Sequence, residues 1–135
     1  MLIHSYFRFA KVPQQQRQKW SDFMQLYVAK RESLRVVFHL VDSRHGPTSE
    51  DERIMRDIGA SLPKRVAYVI LLTKSDKNVK GTGKMPGKVS SSVMDNLREA
   101  MRNANVRGAP VLLTSAETKL GRDDIWRYLR LAAEV

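Results

Sequence analysis

The chain has 135 residues, 42% of them apolar, and carries 24 Lys+Arg against 14 Asp+Glu for a net charge of +10. That length and apolar share fit one folded domain with a single core and argue against an intrinsically disordered chain. The lack of cysteine excludes disulfides, thiolate metal sites and cysteine nucleophiles, while the basic excess suits a polyanionic partner such as RNA.

The first twelve residues, within "MLIHSYFRFAKVP", read as irregular or as a substitute strand, with neither a secretory signal nor a membrane span expected. Pro13 suits the first turn of a helix over Gln14–Glu32, where Trp20, Phe23, Met24, Tyr27 and Val28 repeat at helical spacing. "VVFHLV" (Val36–Val41) is a nearly continuous apolar run, as expected of a strand covered on both faces. A second helix is predicted from Ser49, with Glu52 at capping-box spacing and Ile54, Met55, Ile58 and Leu62 as its apolar side, ending before Pro63.

"AYVILL" (Ala67–Leu72) is the second strand. Residues 78–92 then form a basic, Gly-rich insertion. A third helix from about Ser91 to Ala104 places Val93, Leu97, Ala100, Met101 and Ala104 on one stripe. "APVLLT" (Ala109–Thr114) is the third strand, and Asp123–Ala133 the last helix, with Ile125, Tyr128, Leu129 and Ala132 facing inward. The alternation predicts an α/β fold: a three-layer αβα arrangement of about three parallel strands and four helices, in one domain.

In such sheets ligands bind beyond the carboxyl ends of the strands. Those ends carry "DSRHGPT", "TKSDK" and "SAETKLG", so the polar chemistry gathers on one rim. Asp42 and His45 in the first of these read as a turn acceptor and a structural loop histidine. His4, His39 and His45 lack metal-ligand spacing, and neither a metal site nor a catalytic residue is assigned. An Asp after a strand, as at Asp76, is by itself more often a cap or turn residue.

"AKVPQQQRQKW", "LVDSRHGPTSED", "LLTKSDK" and "TSAETKLGRDDIW" together resemble the later part of a GTPase domain of the EngB (YihA) ribosome-assembly family. The resemblance covers nearly everything from Ala10 to Val135 and implies a P-loop GTPase-like, Rossmann-type fold. It implies that Asp76 accepts from the N1–H and amino group of guanine, a pair of donors that adenine lacks. Lys74 is then expected to lie along the base, and Thr73 to tie the motif to the phosphate loop. Lys77 follows Asp76 as it often does in this family, and Ser115 and Ala116 match the motif whose backbone N–H meets the guanine O6.

The phosphate loop GxxxxGK[ST] is not found in the sequence. The near miss Gly81 to Val89 is one residue too long, contains Pro86 and ends in Val. The DxxG motif expected just before "AKVP" is absent as well. The chain therefore reads as a truncated or divergent relative, or as a fragment of an active GTPase. GTP or GDP is expected to bind weakly, on the order of millimolar, without independent hydrolysis. Mg²⁺ belongs to the complete family domain, and no ligand for it is identified here.

Two functions remain open from the residues: a guanine-binding protein, or a non-catalytic RNA- or ribosome-binding module that retains the fold alone. The family implies the large ribosomal subunit or rRNA as partner, in a cytoplasmic or organellar setting. Candidate RNA contacts are Lys80, Lys84 and Lys88 on the insertion, with Arg98, Arg102 and Arg107 near the third helix. Without a preceding strand, Val36–Val41 becomes a bare edge. Pairing with a second copy in a homodimer is then the first expectation, and a substitute strand from Leu2–Phe9 the second.

Overall fold

The computed structural model describes residues 13–75 and 89–133, together with the backbone of Leu2–His4. Four parallel strands form one sheet in the order β1-β2-β3-β4: β1 (Leu2–His4), β2 (Val36–Asp42), β3 (Ala67–Thr73) and β4 (Val111–Leu113). They alternate with α1 (Gln14–Lys30), α2 (Ser49–Asp57), α3 (Ser91–Asn103) and α4 (Arg122–Ala133). Right-handed crossovers that advance one strand at a time leave their helices on one face. Accordingly Val28 of α1, Ile54 and Met55 of α2, and Leu97 and Met101 of α3 share a core cluster with Val37, Val41, Ile70 and Leu72. The other residues of the alternation, Val36, Phe38, Val69 and Leu71, face Ile125, Tyr128 and Ala132 of α4. The three-layer arrangement is the expected one, with one strand more.

That extra strand corrects the expected edge. β2 is paired on both sides, with Leu2, Ile3 and His4 in register with Phe38, His39 and Leu40. The bare edge at Val36–Val41 is therefore not found, and the homodimer argued from it loses its basis. Of the expected substitute strand, Leu2–His4 is present and residues 5–9 lie outside the described set.

Helix α1 departs from its predicted face. Ser21 and Val28 are its buried residues, whereas Phe23 is 64% exposed. At roughly 100° per residue, the buried direction centres near Ser21 and Val28 and leaves Phe23 over a third of a turn away. Polar contacts with α2 add to the apolar ones of Trp20, Met24, Tyr27 and Val28. Ser21 Oγ donates to Asp57 Oδ2 at 2.8 Å, Gln25 Nε2 to the Asp57 carbonyl at 2.8 Å, and Arg17 pairs with Glu50 at 2.5 Å.

The cap of α2 sits one residue before the predicted Ser49. Thr48 Oγ1 accepts from Asp51 N–H at 3.1 Å, and Asp51 Oδ2 accepts from Thr48 N–H at 2.8 Å, a reciprocal capping box worth about 1 kcal/mol. The helix stops at Asp57, and a 3₁₀ turn, Gly59–Ser61, follows it, so Leu62 lies beyond. In α3, Ser90 caps Val93 N–H, and Val93, Leu97, Ala100 and Met101 are buried as predicted. In α4, Leu129 is 37% exposed, against the inward position expected for it.

Asp51 also belongs to a polar chain inside the core. His39, fully buried on β2, has Nε2 2.8 Å from Asp51 Oδ1 and Nδ1 2.5 Å from the Tyr68 hydroxyl. Burial, and then the Asp51 charge, push the Tyr68 phenol far up, so it stays protonated. Nε2–H then donates to Asp51, and both ring nitrogens are satisfied. Gly59 admits the phenol ring: a Cβ there would lie 2.8 Å from two of its carbons.

Candidate functional site

The carboxyl ends of β2, β3 and β4 are laced into one rim by hydrogen bonds that continue past the strands. Ser43 N–H donates to the Thr73 carbonyl at 3.0 Å, and Ser75 N–H to the Thr114 carbonyl at 3.1 Å. Thr114 donates through both its N–H and its hydroxyl to the Leu72 carbonyl, at 2.8 and 3.1 Å. The Thr73 hydroxyl reaches back to the Val41 carbonyl at 3.4 Å, so here it ties β3 to the end of β2.

Lys74 takes the left-handed conformation, φ 58°, at the sharp exit from β3, and its Nζ lies 3.5 Å from Asp42 Oδ2. Asp42 is the turn acceptor expected: its Oδ1 accepts from Arg44 N–H at 2.9 Å, and Arg44 Nη2 meets its Oδ2 at 2.8 Å. Partial burial pushes this carboxyl up, but the Arg44 hydrogen bonds and the Arg44 and Lys74 charges outweigh it, lowering its pKa to about 2. His45 is an exposed residue of the same turn, its N–H donating to the Asp42 carbonyl at 3.3 Å. Ser75 is fully buried, and its Oγ has no hydrogen-bond partner among the described residues.

After β4 the chain forms a tight loop over residues 115–121. Ser115 N–H donates to the Leu120 carbonyl at 3.1 Å, and Ser115 Oγ accepts from Thr118 N–H at 3.1 Å. Gly121, at φ 78°, closes it; a Cβ there would sit 2.5 Å from the Leu113 carbonyl oxygen. Only glycine fits such a position.

Between these two segments lies a cavity of about 620 Å³. Thr73 and Lys74 line it from β3, and Ser115 and Ala116 from the loop after β4. Its apolar wall comes from Leu40 and Leu71 on the sheet and from Ile125 and Trp126 on α4. Thr114, Glu117, Lys119, Leu120 and Arg122 complete it. Four of the six residues named from sequence are thus brought together, while Asp76 and Lys77 lie outside the described residues. The apolar wall was missed, because on the sequence it is indistinguishable from core; the "KLG" ending at Gly121 was the one visible sign of the loop's closure.

Of the RNA candidates, Arg98, Arg102 and Arg107 line a separate groove between α3 and β4, and share no lining residue with the rim cavity. Lys80, Lys84 and Lys88, with most of the 78–92 insertion, lie outside the described residues. Among the described residues no helix is long and apolar enough to cross a membrane, and no group of three His, Cys, Asp or Glu is placed to hold a metal ion.

A parallel α/β sheet with "TKS" and "TSA" on neighbouring strand ends has the layout of part of a P-loop GTPase-like domain. Curated relatives agree. The chain is 35% identical over 121 residues to a probable GTP-binding protein EngB of Geobacillus kaustophilus, covering 90% of this chain and 56% of that protein. It is 30% identical over 126 residues to the protein of the same name from Listeria welshimeri, covering 93% and 59%. With that of Symbiobacterium thermophilum it shares 35% over 122 residues, covering 90% and 48%. The chain is therefore homologous to part of the EngB proteins, and it spans about half the length of the curated relatives it matches. No protein-family model matches it.

Proposed function

We propose that this chain is the base-recognising portion of an EngB-type guanine-nucleotide-binding domain. The observation that carries the reading is the rim cavity, where two neighbouring strand ends bring Thr73, Lys74, Ser115 and Ala116 around one space. Leu40, Leu71 and Trp126 offer a planar base an apolar wall, and in this reading the backbone N–H of Ala116 meets the guanine O6. In this reading Asp76 supplies the charged acceptor that separates guanine from adenine. The resemblance to the family adds a role in ribosome assembly, with the large ribosomal subunit or rRNA as partner.

The residues at hand fit a base better than a triphosphate. No GxxxxGK[ST] is present to wrap phosphates. Binding on the order of millimolar is the expectation for a base-only site, with no hydrolysis by this stretch alone. Heteronuclear NMR during titration with GDP, GTP and ATP in Mg²⁺ tests this. Shifts at Thr73–Lys77 and Ser115–Ala116 with the guanine nucleotides alone, lost in Asp76→Asn, are expected. Equal shifts with ATP, or none at millimolar nucleotide, would overturn the reading.

A further inference from the structure

We propose that the groove between α3 and the outer edge of β4 binds an extended, acidic peptide segment as an added strand. Three observations point to that one occupant.

The first is the backbone. β4 is the last strand of the sheet among the described residues, paired with β3 alone. The Pro110 carbonyl and Thr114 N–H bond β3, so by the alternation of a strand the N–H and C=O of Val111 point outward. Neither has a backbone partner among the described residues. An open edge of this kind is a template for a further strand.

The second is shape. Beside this edge lies a groove of about 570 Å³, floored by Met94, Met101 and Val111. Val111 packs on the helix-covered face, so the groove lies where alternate side chains of an added strand would fall. Methionine adapts to varied apolar partners.

The third is charge. Arg98, Arg102 and Arg107 stand around that apolar floor, all exposed. Arg98 meets Asp95 at 3.3 Å, whereas Arg102 and Arg107 have no acidic partner among the described residues. On the groove-facing side of the added strand, an apolar side chain would fill the floor, while carboxylates two residues before and after it, on that same side, meet the guanidinium groups. A phosphate backbone would use the arginines and leave both the floor and the Val111 edge unused.

The test is fluorescence anisotropy of the intact chain with a labelled peptide in which every second residue runs Asp, Val, Glu, Val, with Thr at the positions between. Its counterpart with Lys in place of the acids and a single-stranded RNA of similar length serve as the other probes. The acidic peptide alone is expected to bind the native protein measurably, and Arg102→Glu with Arg107→Glu should weaken it about tenfold or more. Val111→Pro removes an N–H that takes no part in the β3 ladder and should also weaken it, while circular dichroism reports an intact fold. Equal binding of the Lys peptide, or undiminished binding by Val111→Pro, would overturn the proposal. So would RNA binding tighter than that of the acidic peptide and indifferent to Val111→Pro, which would make the groove a nucleic-acid surface.

Discussion

The two faces of the sheet are built from the same strands and end up unlike. On one, three helices cover β2 and β3, and the buried polar residues His39, Asp51 and Tyr68 satisfy one another. On the other, α4 is the only helix among the described residues, and Leu120, Trp126 and Leu131 remain exposed at 42%, 51% and 56%. The difference follows from topology. Crossovers that always advance in one direction seal one face and leave the other to whatever comes after the last strand. The sealed face stabilises the molecule, and the half-covered one holds the cavity at the rim.

If that contrast is sound, the largest loss comes from Asp51→Ala. It removes the α2 capping box and leaves His39 Nε2 buried without its acceptor. A cost of about 3 kcal/mol is expected in urea unfolding. Gly121→Ala comes next, at about 2 kcal/mol, since the added Cβ meets the Leu113 carbonyl in a left-handed conformation. It should also abolish nucleotide-induced shifts at Ser115 and Ala116, which a loss confined to the core would not do.

Asp42 gives a smaller, pH-dependent effect. Its folded pKa, about 2, lies below the ordinary carboxylate value. The stability it contributes is therefore present above about pH 4 and lost as the pH falls through about 2. Relative to Asp42→Asn, the native protein should be more stable by about 1 kcal/mol at pH 5. That gap should close in unfolding midpoints taken toward pH 2. Trp126→Ser should change stability least, by about 0.5 kcal/mol. Were its thermal midpoint to fall as far as that of Asp51→Ala, the α4 face would be a sealed core and the contrast would fail.

What could be read from the residues divides along the same line. Three of the four strands and all four helices were legible, because β-branched apolar runs and the stripe from Val93 to Met101 report burial directly. Misplacements arose where polar chemistry settled a near tie. Thr48 outcompeted Ser49 as the cap because the Asp three residues later, Asp51, also reaches His39. Phe23 looked like core by spacing, yet α1 is turned so that Ser21, Gln25 and Arg17 bond α2 and Val28 is buried, which leaves Phe23 exposed. His39 within "VVFHLV" was the visible sign of a buried polar partner, and only the fold shows that Tyr68 and Asp51 converge on it. At the site, Thr73, Lys74, Ser115 and Ala116 were legible as motif, while the wall from Leu40 to Trp126 depends on which face of the sheet α4 covers.

The order of the strands in the sheet has a consequence for how the chain assembles. β1 to β4 lie side by side in the order in which they are synthesised, so each strand finds its neighbour already made. None has to be threaded between two that are paired, and every new βαβ unit adds contacts mainly to the unit just before it. Such a sheet can grow vectorially, from its first strand toward its last, with short loop closures at each step. Among the described residues β4 is then the last strand to join, and its contacts are mainly with β3, made just before it.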